Sequence, residues 1–483
     1  MFWSALFILA VGFTTVWSDE DTEKSPFCDV CECKEKYVDC TSTYDSSTHA
    51  VYESNYYMND NNVSYGIETL ILSDNSMNKI DYQFPKSKLK TLDLSFNEIR
   101  KIRGEAFANL QDMVELDLSH NNIASLTSET FKGVRLDGFD YPLRSLKTLR
   151  LGHNKITSLH SEVFQHIDRH IVNVYMNNNP MSVIDEGTEQ AFNTLVFMEI
   201  LDLSETGLKM LPKHFIYTPS HLSFLNVSFN NIGNVTDLDL EESHVLHTLD
   251  ISGNPVVNIT KETAFPQVST LKVLYMNKMD KLVEIGENAL SGLTGLEVLH
   301  LAHNPNLKTI HHKAFITIEK DSETPIVHKL SKLYINNNML AHLDLELNWD
   351  GIVDMDIRNN PWTCECENQW LIDVLMPIYE KINATQALEV KCGAPIEMED
   401  MYFHELTEKH SLMRCLDLYG NRPERDGTVL VCLLLGLLLG IAAALFVMYA
   451  YQRHWFGLCD KSPAAFSRQF YGRTRTNEDV DIY

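Results

Sequence analysis

The stretch Leu89 to Ile102, LKTLDLSFNEIRKI, constrains this chain more than any other part of it. Its apolar residues fall at Leu89, Leu92, Leu94, Ile99 and Ile102 around Asn97, in the order L-x-x-L-x-L-x-x-N-x-L. The alternation in TLDLS reads as a short strand that turns Leu92 and Leu94 inward. The chain then bends at Asn97, whose amide can bond backbone groups that a tight bend leaves unpaired. Ala106 and Phe107 add an apolar anchor on the return path. One such coil cannot bury its own leucines, so the pattern is stable only if it recurs and stacks.

It recurs about every 24 residues. Asn75, Asn97, Asn121, Asn154, Asn179, Asn230, Asn254, Asn304, Asn338 and Asn360 hold the asparagine position, and Thr206 and Met279 hold it in two degenerate copies. This is the spacing of a leucine-rich repeat, and it predicts an α/β solenoid over residues 67–360, a parallel β-sheet horseshoe of about twelve coils. A solenoid grows linearly, so 483 residues do not exceed what it can bury.

The first 18 residues, MFWSALFILAVGFTTVWS, read as a secretory signal, although only the α-amino group supplies its positive charge. Cys28, Cys31, Cys33 and Cys40 then precede the repeats, within 19–41, and Cys364, Cys366, Cys392 and Cys415 follow them, within 361–415. Even sets in a secreted chain point to disulfides, with three connectivities open for each group of four. The C-x-x-C spacing of Cys28 and Cys31 also suits zinc, which the oxidising route disfavours. CDVCECKEKYVDC, and NPWTCEC with CGAP, resemble the N- and C-terminal caps of extracellular leucine-rich repeat proteins. The resemblance implies pairs Cys28–Cys33, Cys31–Cys40, Cys364–Cys392 and Cys366–Cys415.

Three segments break the period. Residues 42–66 form an insert carrying Tyr44, Tyr52, Tyr56, Tyr57 and Tyr65, expected to be a loop or, more sharply, an acidic tyrosine tract that touches a partner. Val134 to Pro142 and Ile318 to Lys329 are expected to project from the rim as loops. The adjacent His311 and His312 would point opposite ways in extended chain.

The strand position between the inward leucines runs Asp93, Asp117, Arg150, Tyr175, Asp202, Asn226, Asp250, Tyr275, His300, Tyr334 and Asp356. Aspartate is ordinary there. Tyr175, Tyr275, His300 and Tyr334 are therefore the candidate ligand-binding residues, since tyrosine offers large contact area at low rotamer cost. Five N-x-[ST] sequons, at Asn62, Asn226, Asn234, Asn258 and Asn383, are candidate glycosylation sites. Asn226 should stand in the middle of the concave face, while Asn234 and Asn258 stack just past the turn. A glycan on Asn226 would push a large partner toward the later strands or the N-terminal end.

After a linker at 416–427, residues 428–451 hold 24 residues without a charge, thirteen of them Leu, Ile, Val or Phe. They favour insertion by about 4 to 8 kcal/mol, and as a helix would run about 36 Å against a core of about 30 Å. Gly436 and Gly440 have the small-xxx-small spacing that would let two spans pack as a homodimer, although glycine is also simply common in membrane helices. The tail, 452–483, is too short for a kinase or Toll-type signalling domain. It begins with Arg453 and His454, as a cytoplasmic face would. Cys459 is a candidate for lipidation.

Of 40 basic and 66 acidic residues the tail holds five and four, and the signal and span none. The ectodomain is left with 35 against 62, a net of −27. Such a surface disfavours nucleic acid and favours basic partners. No nucleophile with base, carboxylate pair or phosphate loop stands out, so neither an enzyme nor a cofactor is expected.

These features predict a glycosylated, single-pass type I plasma-membrane protein that binds an extracellular protein, in adhesion or as a co-receptor. The chain resembles leucine-rich repeat adhesion and receptor proteins of animal cell surfaces, and shares repeats with Toll-like receptors without their signalling domain. The alternatives are an innate-immune or decoy receptor and an auxiliary subunit of a membrane channel.

Overall fold

The computed structural model describes residues 24–44, 49–136, 139–215, 219–316, 330–408, 413 and 423–453. The chain divides into two units, one ending at Ser411 and one beginning at Leu412. The signal segment, Cys415, the Ile318 to Lys329 insertion, and the tail beyond Arg453 with Cys459 lie outside the described residues.

The first unit is built on one sheet of 14 strands. Two belong to the N-terminal cap, β1 (Glu32–Lys34) and β2 (Tyr37–Asp39), paired antiparallel. Twelve parallel strands follow in chain order, one per repeat. They are β3 (Thr69–Ile71), β4 (Thr91–Asp93), β5 (Glu115–Asp117), β6 (Thr148–Arg150), β7 (Asn173–Tyr175) and β8 (Ile200–Asp202). Then come β9 (Phe224–Asn226), β10 (Thr248–Asp250), β11 (Val273–Tyr275), β12 (Val298–His300), β13 (Lys332–Tyr334) and β14 (Asp354–Asp356). Each buries its middle residue and leaves the two neighbours on the concave face. Leu92, Leu116, Leu149, Leu225 and Leu299 are fully buried. On the return path Ala106 and Phe107 are buried, and the rings of Phe131, Phe164, Phe192 and Phe215 follow one another 5.7 to 6.3 Å apart.

The asparagine of each repeat joins two coils. Asn97 Nδ2 donates to the carbonyls of Leu94 at 3.1 Å and Leu72 at 2.9 Å, and its Oδ1 accepts from the Met77 N–H at 3.1 Å. Asn254 repeats this with Val227, Ile251 and Ile232. In the degenerate coils, Thr206 Oγ1 still donates to Leu203 O at 2.8 Å. Met279 has no such group. The next asparagine, Asn304, accepts from the Met279 N–H, but its buried Nδ2 has no partner.

In its described residues, 42–44 and 49–66, the insert is not a loose loop or an exposed tyrosine tract. It folds into two short 3-10 turns, Ala50–Tyr52 and Ser54–Tyr56. Tyr57 is buried and donates its hydroxyl to Val51 O at 2.8 Å, Tyr56 packs edge-on against Phe27, and Tyr52 lies on Phe84. The tyrosines supply apolar body that a short cap lacks. The Val134 to Pro142 segment also differs from a plain loop: Val134–Leu136 and Phe139–Tyr141 pair as an antiparallel hairpin. Its residues alternate around Asp137-Gly138, a hairpin signal. The His311 and His312 rings do not diverge but meet with centroids 4.3 Å apart.

Disulfides join Cys28 to Cys33, Cys31 to Cys40, and Cys364 to Cys392. Cys366 is disulfide-bonded as well. The C-terminal cap adds helices Met376–Ala387 and Phe403–Glu408 and the buried Trp362, whose Nε1 donates to Ile357 O at 3.1 Å. In the second unit a helix runs from Pro423 to Gln452. Its Val429–Gln452 part, 24 residues of mean hydropathy 3.0, is long and apolar enough to cross a membrane. Gly436 and Gly440 lie one turn apart on it, with open space where a Cβ would be.

Replacing Asn254 by alanine strands two carbonyls and an N–H inside the solenoid, at a cost of about 1 to 3 kcal/mol for each buried group left unsatisfied. Asn304→Ala loses only the Met279 contact. Thermal melting should therefore fall further for Asn254→Ala than for Asn304→Ala; equal losses would contradict the ladder.

Candidate functional site

The concave face is where the repeat exposes a row of side chains without loops, and its chemistry divides in two. At Asp93, Asp117, Asp202, Asn226 and Asp250 the side-chain Oδ1 accepts from the backbone N–H of the serine two residues on, at 2.8 to 3.0 Å. Asp356 does the same with the Arg358 N–H and also grips its guanidinium through both oxygens. These Asx turns close the strand where it leaves the sheet. They give aspartate at this position a structural job.

At Arg150, Tyr175, Tyr275, His300 and Tyr334 the turn is made without that bond, and the residue two on is Gly152, Asn177, Asn277, Ala302 or Asn336. These side chains are released from scaffold work. Parallel register brings three of them together. Tyr275 and His300 stack with centroids 4.4 Å apart and ring planes nearly parallel, and His300 and Tyr334 stack at 4.5 Å. The Tyr334 hydroxyl donates to the Asp354 carboxylate. Burial and that bond push its pKa up to about 12. Burial, with the Lys332 charge nearby, holds the His300 imidazole below its usual range, so it is neutral and can accept or donate at pH 7.

Tyr175 does not join them. It sits on β7, four strands from Tyr275, with the Arg150 guanidinium 4.4 Å over its ring. Arg150 Nε in turn donates to Glu115 at 2.8 Å and lies 4.0 Å from Asp117. Beside this pair the rings of Phe96, His120 and His153 form a second stack, both spacings 4.0 Å. Asp117, His120, Arg150, His153 and Tyr175 help line a trough of about 270 Å3. The stack occupies the position just before each repeat asparagine, where φ is +52° to +54°. The signal for it was there in the sequence, three residues along from the strand row and one before each repeat asparagine.

The sequons fall in three settings. Asn226 stands half-buried on the concave face between Asp202 and Asp250, its Oδ1 held by Ser228. Asn234 and Asn258 are exposed at the same position of successive coils, and Asn62 is exposed in the insert. Asn383 interrupts its helix at φ −151° and accepts from the Gln386 N–H at 3.1 Å. Among the described residues no group of three His, Cys, Asp or Glu is placed to hold a metal ion.

Leucine-rich repeat models match residues 87–137 and 145–167, and a BspA-type leucine-rich repeat region of six copies matches 216–339. The coils are leucine-rich repeats. Tsukushi of Gallus gallus is 27% identical over 222 residues, 46% of this chain and 49% of that protein. Toll-like receptor 9 of Mus musculus is 27% identical over 64% of this chain and 31% of its own length. The leucine-rich repeat transmembrane protein FLRT2 of Mus musculus is 25% identical over 48% of this chain and 33% of its own. The chain spans about half the length of the Tsukushi proteins it matches, 49% and 52%. Among solved structures, the TLR13–ssRNA13 complex shares the fold, with a TM-score of 0.51 at 19% identity over 68% of this chain and 48% of that one.

The Asx turns give a pH prediction. Burial raises the Asp250 carboxyl above its ordinary value of 3.8. A raised folded pKa means stability present below the unfolded value and lost as pH rises through the folded one. Asp250→Asn keeps the turn, as Asn226 shows, and removes the charge. Its melting temperature should equal or exceed that of the parent at pH 7, and the difference should vanish below about pH 4. A large drop at pH 7 would contradict this.

Proposed function

We propose that this protein works at the plasma membrane as a single-pass recognition protein, repeats outside, that binds an extracellular protein in adhesion or as a co-receptor. The observation that carries it is the Tyr275–His300–Tyr334 stack: three rings at positions freed from Asx-turn duty, with the Tyr275 hydroxyl and the His300 nitrogens unengaged among the described residues. A row of half-buried aromatic edges costs little entropy to present and suits a protein surface. The apolar helix supports a membrane anchor, as does the likeness to a protein named for its transmembrane nature. The acidic ectodomain favours a basic partner over a polyanion such as nucleic acid.

A sugar on Asn226, at the middle of the sheet, would push such a partner to the later strands, where the stack stands, or to the N-terminal end. Capture of extracellular proteins by the secreted repeats would test the proposal. Tyr275→Ala with Tyr334→Ala should reduce capture of a positive hit by about tenfold or more, as loss of an interface hot spot does. If the double variant folds and binds normally, the ladder is not the contact. Aggregation of cells carrying the chain would favour adhesion over a decoy role.

A further inference from the structure

We propose that the corner between Asp250 and Tyr275 receives the guanidinium of an arginine side chain from the protein partner. This rests on the reading of the concave face given above and names the chemistry recognised there. The Tyr275 ring has two faces. His300 covers one at 4.4 Å. The other looks toward β10, where the residue in register is Asp250, whose short side chain cannot cover a ring. Asp250 spends Oδ1 on the Ser252 N–H at 2.9 Å, and among the described residues no cation or donor reaches its Oδ2. A half-buried carboxylate without a counter-ion thus borders an open aromatic face.

The same chain holds a filled version of this arrangement. On three successive strands Asp117, Arg150 and Tyr175 lie side by side, the guanidinium 4.4 Å over the ring, its Nε 4.0 Å from Asp117. At β10 and β11 the acid and the ring stand on adjacent strands, with no third strand between to carry a guanidinium, and among the described residues no arginine reaches them. A planar guanidinium stacks on a ring while its N–H edge meets a carboxylate, which a compact ammonium cannot do. A glycan on Asn226, one strand beyond Asp250, would wall the corner on that side, so the arginine would enter from the C-terminal strands.

The probes are three pentapeptides with one central arginine, citrulline or lysine among alanines, titrated against the whole chain in nanodiscs. Citrulline keeps the shape and loses the charge; lysine keeps the charge and loses the plane. The arginine peptide should bind at least about tenfold more tightly than either. Asp250→Asn and Tyr275→Leu should each abolish that preference, whereas Tyr275→Phe and Asp202→Asn should keep it. Equal binding of the three peptides, or a preference that survives Asp250→Asn, overturns the proposal. Melting temperatures within error of the parent exclude misfolding as the cause of a loss. The assay needs no natural partner. It can therefore fail while the Tyr275/Tyr334 variant still loses capture, which would leave the ladder as the contact without an arginine.

Discussion

Each repeat asparagine has to satisfy backbone groups of two coils at once, and most other features follow from that demand. Nδ2 of Asn121, for example, bonds Leu118 O in its own coil and Leu94 O in the one before, while Oδ1 takes the Ile99 N–H. To present the amide this way the residue before it is left-handed in coil after coil, as in Phe96, His120, His153, Phe229 and Asn337. Left-handed backbone is costly for side chains other than glycine. Only Gly253 meets the requirement freely, and there a Cβ would stand 2.4 Å from the Phe229 ring. The coils are thereby locked in identical register, so equivalent residues recur one strand spacing apart, about 4.8 Å.

That register turns a one-dimensional sequence row into a surface. Where the row is Asp or Asn, the side chain bends back to its own backbone and serves the scaffold. Where it is Arg, Tyr or His, the side chain meets its neighbours, and rings one strand apart stack at 4.4 to 4.5 Å. The face therefore separates into scaffold coils and working coils by a local hydrogen bond rather than by overall charge. The central scaffold coils carry Asp202, Asn226 and Asp250, and part the Arg150–Tyr175 pair from the Tyr275–His300–Tyr334 stack.

The solenoid was legible because its signal is periodic and redundant: losing asparagine at Thr206 and Met279 did not hide the phase. That Tyr275, His300 and Tyr334 stand side by side on β11 to β13 was legible for the same reason. Tyr175 was misplaced among them, since a shared phase says nothing about how many strands intervene. The insert was misread because burial of Tyr52 and Tyr57 depends on Phe84 and on local folding that no short pattern reports. The Phe96–His120–His153 stack was overlooked because attention rested on strand positions, while these rings stand in the turn. Aspartate on the strands read only as ordinary for the repeat, and the bonds to Ser95, Ser119, Ser204 and Ser252 reveal its structural role.

The division between scaffold and working positions is tested most directly by one scan along the row, reading melting temperature and partner capture for every alanine variant. Asp93→Ala and Asp202→Ala should lower the melting temperature, with capture intact on the folded fraction. Tyr275→Ala, His300→Ala and Tyr334→Ala should leave melting nearly unchanged and reduce capture. The account is contradicted if the two readouts rise and fall together at these five positions, or if Asp93 and Asp202 govern capture while the rings govern stability.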